Sequence, residues 1–412
     1  MTRTGSVSRR GVLAAGLAAA MLPGNARARQ KPIRIGVLTD MTGPYAANTG
    51  PGSILGAQIA IEDFARHRPD IKVELVSADL QLKPDVALSV AANWFDNQGV
   101  DVVTDVPLSS AAFAISDLVK QKDKIALFTG AASADITGKR CGPNHLQWTY
   151  DTWSMPNAVV NATVKEGGDT WFFITADYAF GHSLEKDAAS FVTAAGGKVL
   201  GAARAPFPGT TDFSSFLVQA KASGAKVIGL ANGGGDTINC IKQAAEFGIM
   251  KGGQKVAGLI LLIHDVHGIG LGAAQGVLLT EPFYWNLNDG TRDFARRYAA
   301  RNGGVVPGSV HAAQYSSVTH YLKAVAALGV DKAKASGRAA MLQMQAMPAD
   351  DPAFGKGQVR KDGRVIHEMH LFEVKAPGDS KGPWDYYKLL RTVPADQAFR
   401  PMDAGGCPLV QG

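Results

Sequence analysis

The sequence predicts an α/β protein made of two doubly wound parallel-sheet units, one after the other. Three observations predict it. Short β-branched runs alternate with amphipathic helical stretches, the connections are short, and the alternation restarts once near residue 155. A strand, a helix and a second parallel strand close with a right-handed crossover, so few other architectures remain.

The elements follow in order. Pro32–Thr39 reads as a strand, and Ser53 caps a helix carrying Leu55, Ile59, Ile61 and Phe64. Strand 73–76, helix 85–96, strand 100–106, helix 110–121 and strand 125–129 complete the first unit. The second unit opens with helix 157–165 and strand 171–175, then helix 182–194, strand 198–204 and helix 213–222. Strand 227–231, a helix from Thr237 and an apolar strand 256–263 end it. A third stretch holds strand 277–280 and helices around 292–301 and 311–328. Gly357–Arg360 and Met369–Val374 read as a hairpin turning at Lys361–Arg364, which suggests a return of the chain to the second unit.

Residues 1–28 stand apart as an export signal of the twin-arginine type. Arg9–Arg10 precede a short apolar stretch, Val12–Leu22, and Ala26-Arg27-Ala28 supplies a small-x-small cleavage end. No cysteine follows that cut, so the expected product is free in the periplasm. Losing the four arginines of the signal takes the formal charge from +6 to +2, which argues against nucleic acid or an anionic membrane as partner. The remaining chain of about 380 residues exceeds one core and implies two domains.

Of the three cysteines, Cys141 and Cys407 lie in Gly/Pro loops, whereas Cys240 sits in a helical pattern beside Ile241 and Ala244. In an oxidising compartment the expected bond is Cys141–Cys407, with Cys240 as a small buried apolar residue; three free thiols are the alternative.

At this point the chain resembles the type I periplasmic binding proteins of the Leu/Ile/Val class, which feed ABC importers. The resemblance is carried by Ile35-Gly36-Val37 leading to Thr42-Gly43-Pro44-Tyr45, by Ser109-Ser110 opening a helix, and by Thr129 to Ala134. Asp177-Tyr178-Ala179-Phe180-Gly181 and the strand-loop Leu230 to Asp236 continue it. It implies two lobes joined by three crossovers, with a ligand clamped between them. Lobe one would be 32–150 plus 282–352, lobe two 151–281 plus 353–395, and 396–412 a tail. It further implies a monomer, an inner-membrane ABC permease as partner, no cofactor and no enzymatic activity.

Ligands of open α/β sheets sit beyond the C-terminal strand ends, against helix N-termini. Ser109, Ser110, Ala131, Ala132 and Ser133 occupy such places and match family positions that hold a carboxylate, although serines there also serve as plain N-caps. From lobe two, Phe180 matches a ligand-contacting aromatic, Gly234 sits in a glycine run that leaves room, and Asp265 falls near the family's acid for a ligand amine. Tyr45 and Tyr315 are the lobe-one aromatic candidates, and Trp148, Tyr150 and Trp153 bracket the first crossover. The ligand implied is an amino acid or related small carboxylate, an aromatic or other apolar carboxylate being the alternative.

Other functions find less support. Gly268-Ile269-Gly270-Leu271-Gly272-Ala273 resembles the dinucleotide fingerprint of an NAD-dependent oxidoreductase, but the chain's first strand-helix turn lacks it. His264/His267 and His367/His370 are histidine pairs without further ligands at zinc spacing, so no metal is expected. No G-x-S-x-G elbow is present. A ligand sensor for a receptor uses the same fold and stays open as an alternative.

Overall fold

A computed structural model of the chain describes Met1, Thr2, Thr4, Gly5 and residues 31–410; the expected export signal lies outside the described residues. The chain divides into an N-terminal unit, Met1–Lys31, and a body, Pro32–Gly412.

In the body, β1 (Ile33–Thr39), β2 (Val73–Asp79), β3 (Val102–Asp105), β4 (Ile125–Phe128) and β5 (His145–Gln147) form a parallel sheet of order β2-β1-β3-β4-β5. Side chains alternate across it. Ile33, Ile35 and Val37 pack under helices Gly50–His67 and Ser309–Leu328. Leu38 and Val103 pack on the other face, under helices Pro84–Asn97 and Ser109–Lys122. Both faces are covered at the centre, where β3 and β4 are buried at every position, whereas the edge strand β2 carries the exposed Glu74. Gly36 lets the Trp94 ring lie against the strand backbone, where any Cβ would collide with it.

A second parallel sheet, of order β7-β6-β8-β9, comprises β6 (Thr170–Ala176), β7 (Lys198–Ala205), β8 (Val227–Ala231) and β9 (Lys255–Gly258). Trp171 and Phe173 face helices Ser154–Lys165 and Ala179–Ala194, while Phe172 and Ile174 face helices Ser214–Ala222 and Gly235–Glu246. That period of two is the strand's own pleat.

Two later sheets complete the lobes. β10 (Leu278–Glu281) pairs antiparallel with β14 (Met369–Val374), which pairs with β15 (Tyr387–Val393), and Leu279, Phe372 and Tyr387 join the second lobe's core. β11 (Ala349–Asp351), β12 (Gly355–Val359) and β13 (Val365–Ile366) form a small antiparallel sheet whose Ala349, Val359 and Val365 pack in the first lobe's core. The third passage between lobes therefore runs between Ile366 and Met369.

Three expectations differ: the first helix starts at Gly50 after Thr49, so Ser53 lies buried inside it instead of capping it, and two further elements change. The hairpin partner of Gly355–Val359 is Val365–Ile366, so Met369–Val374 is left to pair with β10 and β15. The apolar run 256–263 is strand only to Gly258; Leu259–Leu262 are buried loop and Ile263 opens a short helix. A short run apolar on every side cannot reveal by periodicity where its strand ends.

The passages are tied together. Arg364, fully buried, donates from Nη1 to the Tyr150 carbonyl (2.9 Å) and from Nη2 to the Trp148 carbonyl (2.8 Å), while lying over the Phe399 ring. Glu281, at the second passage, accepts from Tyr387 Oη (2.7 Å) and Ser309 Oγ (2.5 Å). Cys141 and Cys407 are disulfide-bonded, with Cα atoms 5.6 Å apart, and Cys240 is a buried free thiol. Among the described residues no helix is long and apolar enough to cross a membrane.

Candidate functional site

Each parallel sheet has a point where its strand order reverses: β1/β3 in the first, β6/β8 in the second. Crevices form at the C-terminal ends of strands at such points. Here the loops leaving both points face one another, and the space between them is the candidate site. Its wall contains Tyr45, Asn48 and Thr49 after β1, Pro107 after β3, Gly130 and Ala132 after β4, and Tyr150 at the first passage. Lobe two adds Tyr178 and Phe180 after β6, Gly233 and Gly234 after β8, and Ile260 and Leu262 after β9.

The first loop is shaped by Asp40. Its Oδ1 accepts from Gly43 N (2.8 Å) and its Oδ2 from Tyr45 N (2.9 Å), which turns the Thr42-Gly43-Pro44 segment and aims Tyr45 across the cleft. Burial nevertheless pushes the Asp40 carboxyl above its usual value, these backbone donors opposing the shift.

The lobes touch directly. Tyr45 Oη and Tyr178 Oη are 2.6 Å apart, Gly235 N donates to Pro44 O (3.0 Å), and Asn48 Nδ2 donates to Asp265 Oδ1 (2.7 Å). Phe207, after β7, stacks on both tyrosines, with ring centroids 4.5 Å from Tyr178 and 5.4 Å from Tyr45. Gly234 has φ of +59°, and a Cβ there would fall on the Pro44 carbonyl oxygen, so this approach requires glycine. The cavity is about 40 Å³. That is room for a few waters at roughly 10–15 Å³ each. A solute of several heavy atoms enters only if the lobes part.

Among the described residues no lysine, arginine, aspartate or glutamate lines the cleft, and three buried carboxyls stand behind its wall. Asp265 is pushed to about 6 by burial, against its bonds from Asn48 and Leu262 N. Asp236, in the first turn of the helix after Gly234, is pushed to about 7 by burial, and its Oδ2 has no partner. Asp105, behind Gly130, is raised to about 6 by burial, opposed by neighbouring hydroxyls.

The structure brings some sequence-predicted residues to the wall and not others. Tyr45, Ala132, Phe180 and Gly234 line the cavity, and Asp265 lies directly behind Asn48. Ser109 and Ser133 are engaged internally: Ser109 Oγ accepts from Ser133 N (3.2 Å), and Ser133 Oγ donates to Ser183 Oγ (3.1 Å). Ser110 is half-buried in the first turn of its helix, and neither it nor Ala131 is part of the wall. Tyr315 is far from the cleft. Its ring packs on Phe294 and its hydroxyl donates to Asp63 Oδ2 (3.0 Å), because the helix Ser309–Leu328 turns that face toward helix Gly50–His67. Trp148 and Trp153 are packing residues, Trp148 donating to Ser316 Oγ and Trp153 meeting Phe191 edge-on.

Sequence reasoning missed Asn48, Tyr178, Phe207 and the Ile260/Leu262 pair. Tyr178 could have been found, since it shares a short aromatic motif with Phe180; the others carry no local signal. The Gly268–Ala273 segment ends one helix and starts another, with no strand before it, so it forms no dinucleotide loop. His264 and His367 bond to backbone carbonyls and are held near 4 by burial, and no metal-binding group occurs among the described residues.

Comparison with known proteins agrees with this geometry. The periplasmic binding protein family model matches residues 32–382, and the chain belongs to that family. A periplasmic binding protein from Burkholderia mallei is 44% identical, with a TM-score of 0.87 over 92% of this chain and 99% of that one. A branched chain amino acid ABC transporter periplasmic ligand-binding protein from Burkholderia xenovorans LB400 is 41% identical, with a TM-score of 0.79 over 92% and 99%. Leu/Ile/Val-binding protein homolog 6 of Brucella melitensis is 25% identical over 223 residues, 54% of this chain. That match spans only 56% of the curated relative's length.

Proposed function

We propose that this protein is the substrate-binding component of an ABC importer, working as a monomer in the periplasm. It captures an amino acid or related small carboxylate between its lobes and presents it to an inner-membrane permease. The observation that carries the reading is the meeting of two strand-order reversals at one cleft, closed by Tyr45–Tyr178 and Asn48–Asp265. Lobes that part and close around a hinge bind by gaining contacts to both sides, and ligand shifts the population toward closure.

Tyr45, Tyr150, Tyr178 and Phe180 form the apolar walls for a side group. A carboxylate would be held by backbone N–H groups near Ala132 and the start of helix Ser109–Lys122, with Ser109, Ser110 and Ser133 supporting them. An ammonium would take the place Asn48 now holds against Asp265. The buried carboxyls behind the wall, with no cation lining the cleft among the described residues, support an amine-bearing ligand over a plain aromatic or apolar carboxylate, which is the second reading.

A thermal-shift screen of the purified protein against amino acids and aromatic acids tests this, since binding to the folded state adds RT ln(1 + [L]/Kd) to stability. A shift with amino acids supports the main reading, and a shift only with non-amino acids moves the ligand class. Silence across both sets, repeated by calorimetry, removes it.

A further inference from the structure

A second cavity lies outside the cleft, on lobe two. It is larger than the cleft, about 330 Å³, and its walls come from every passage between the lobes. Helix Ser154–Lys165 begins just after the first passage, Thr280 precedes Glu281 at the second, and Met369 follows the third. Its floor is apolar, with Ala158, Met369, Leu371 and Val393. Its rim holds Lys165 and Arg391, and among the described residues no acidic one lines it. Neither cation forms an ion pair among the described residues, though most of the described arginines do. In the wall, Thr280 is 3% exposed and its Oγ1 has no hydrogen-bond partner. A buried hydroxyl without a partner is costly to leave unsatisfied.

From this combination we infer a second ligand site, taking a small amphipathic carboxylate. The apolar floor accepts a hydrocarbon body, and Lys165 and Arg391 take the carboxylate at the rim. Thr280 Oγ1 supplies a hydrogen bond from the wall. The cleft differs: buried carboxyls stand behind its wall, no cation lines it among the described residues, and both lobes wall it. An occupant of the second cavity would touch lobe two alone, at the roots of all three passages.

Octanoate is the probe, titrated calorimetrically into the purified full chain at up to about 10 mM, with octanol as the uncharged control. Binding by octanoate that falls about tenfold in the double variant Lys165→Glu/Arg391→Glu, and persists in the cleft variant Tyr178→Ala, is the expected result. Octanol should bind at least several-fold more weakly. Unchanged affinity in the double variant, loss in Tyr178→Ala, or no binding by the unaltered protein overturns the inference. Circular dichroism of each variant confirms that it is folded, and surface charge reversals at two exposed positions should leave it so.

Discussion

Tyr45 and Tyr178 stand on opposite lobes, 133 residues apart in sequence, and share a hydrogen bond of 2.6 Å. The closed form is thus held by the protein's own atoms, and the energy of these bonds sets how readily the empty cleft opens. A hydrogen bond of this kind contributes about 1 kcal/mol net.

Tyr178→Phe removes the bond and keeps the ring on Phe207. Small-angle scattering should then show a larger radius for the ligand-free protein, and ligand affinity should fall by a few-fold. An unchanged scattering profile would mean that the tyrosine pair does not govern closure.

Gly234→Ala places a methyl group on the Pro44 carbonyl in a sparsely populated backbone conformation that costs about 1–3 kcal/mol for an L-residue. Closure is blocked while each lobe keeps its core. The variant should fold, with an ordinary circular dichroism spectrum, and lose at least about tenfold in ligand affinity, equivalent to roughly 1.4 kcal/mol. Full affinity in this variant would place the ligand elsewhere.

Asp265→Asn discriminates between ligand classes. It should weaken an amine-bearing ligand by about tenfold or more and leave a simple carboxylate within a few-fold, because only the former presents an ammonium to Asp265. Asp236→Asn, measured beside it, shows whether the unpartnered carboxyl shares that role. Equal losses for both ligand classes in Asp265→Asn would assign the residue to holding Asn48 alone.

Stability should fall as pH rises from about 7 to about 8, above the range in which the buried histidines, held near 4 in the folded state, take up protons only in the unfolded chain. Burial raises Glu281 from 4.5 to about 8, with nearby Asp265 adding to the rise and Ser309 and Tyr387 opposing it. The folded state therefore holds a proton that the unfolded chain has lost, and deprotonation across that window works against folding. Asp236 and Asp265 act in the same direction. Glu281→Gln should flatten the fall of Tm over this range; an unaltered slope would show that Glu281 does not titrate there.

The Cys141–Cys407 bond closes a loop of 266 residues and fixes the tail, where Arg400 also donates to the Ala134 carbonyl. Replacing both cysteines with serine should cost about 2–4 kcal/mol in denaturant unfolding, through the freer unfolded chain. Cys240 should stay unreactive to thiol reagents until the fold opens, since burial also raises its thiol well above the usual range.

The sequence by itself determined the α/β class, the alternation of strands and helices in both units and the loops that end at the cleft. Those features are written locally: apolar alternation marks strands such as Trp171–Ile174, and capped amphipathic stretches mark helices. The aromatic motif containing Tyr178 and Phe180 and the glycine run ending at Gly235 were legible for the same reason. Only the tertiary structure decided which residues meet. Asn48 finds Asp265 across 217 residues, Tyr315 turns to Phe294 and Asp63, and Ser109 spends its hydroxyl on Ser133. Met369–Val374 pairs with β10 because Val365–Ile366 had already completed the nearer hairpin. No local pattern encodes these contacts, because each depends on how two separately folded surfaces are brought together.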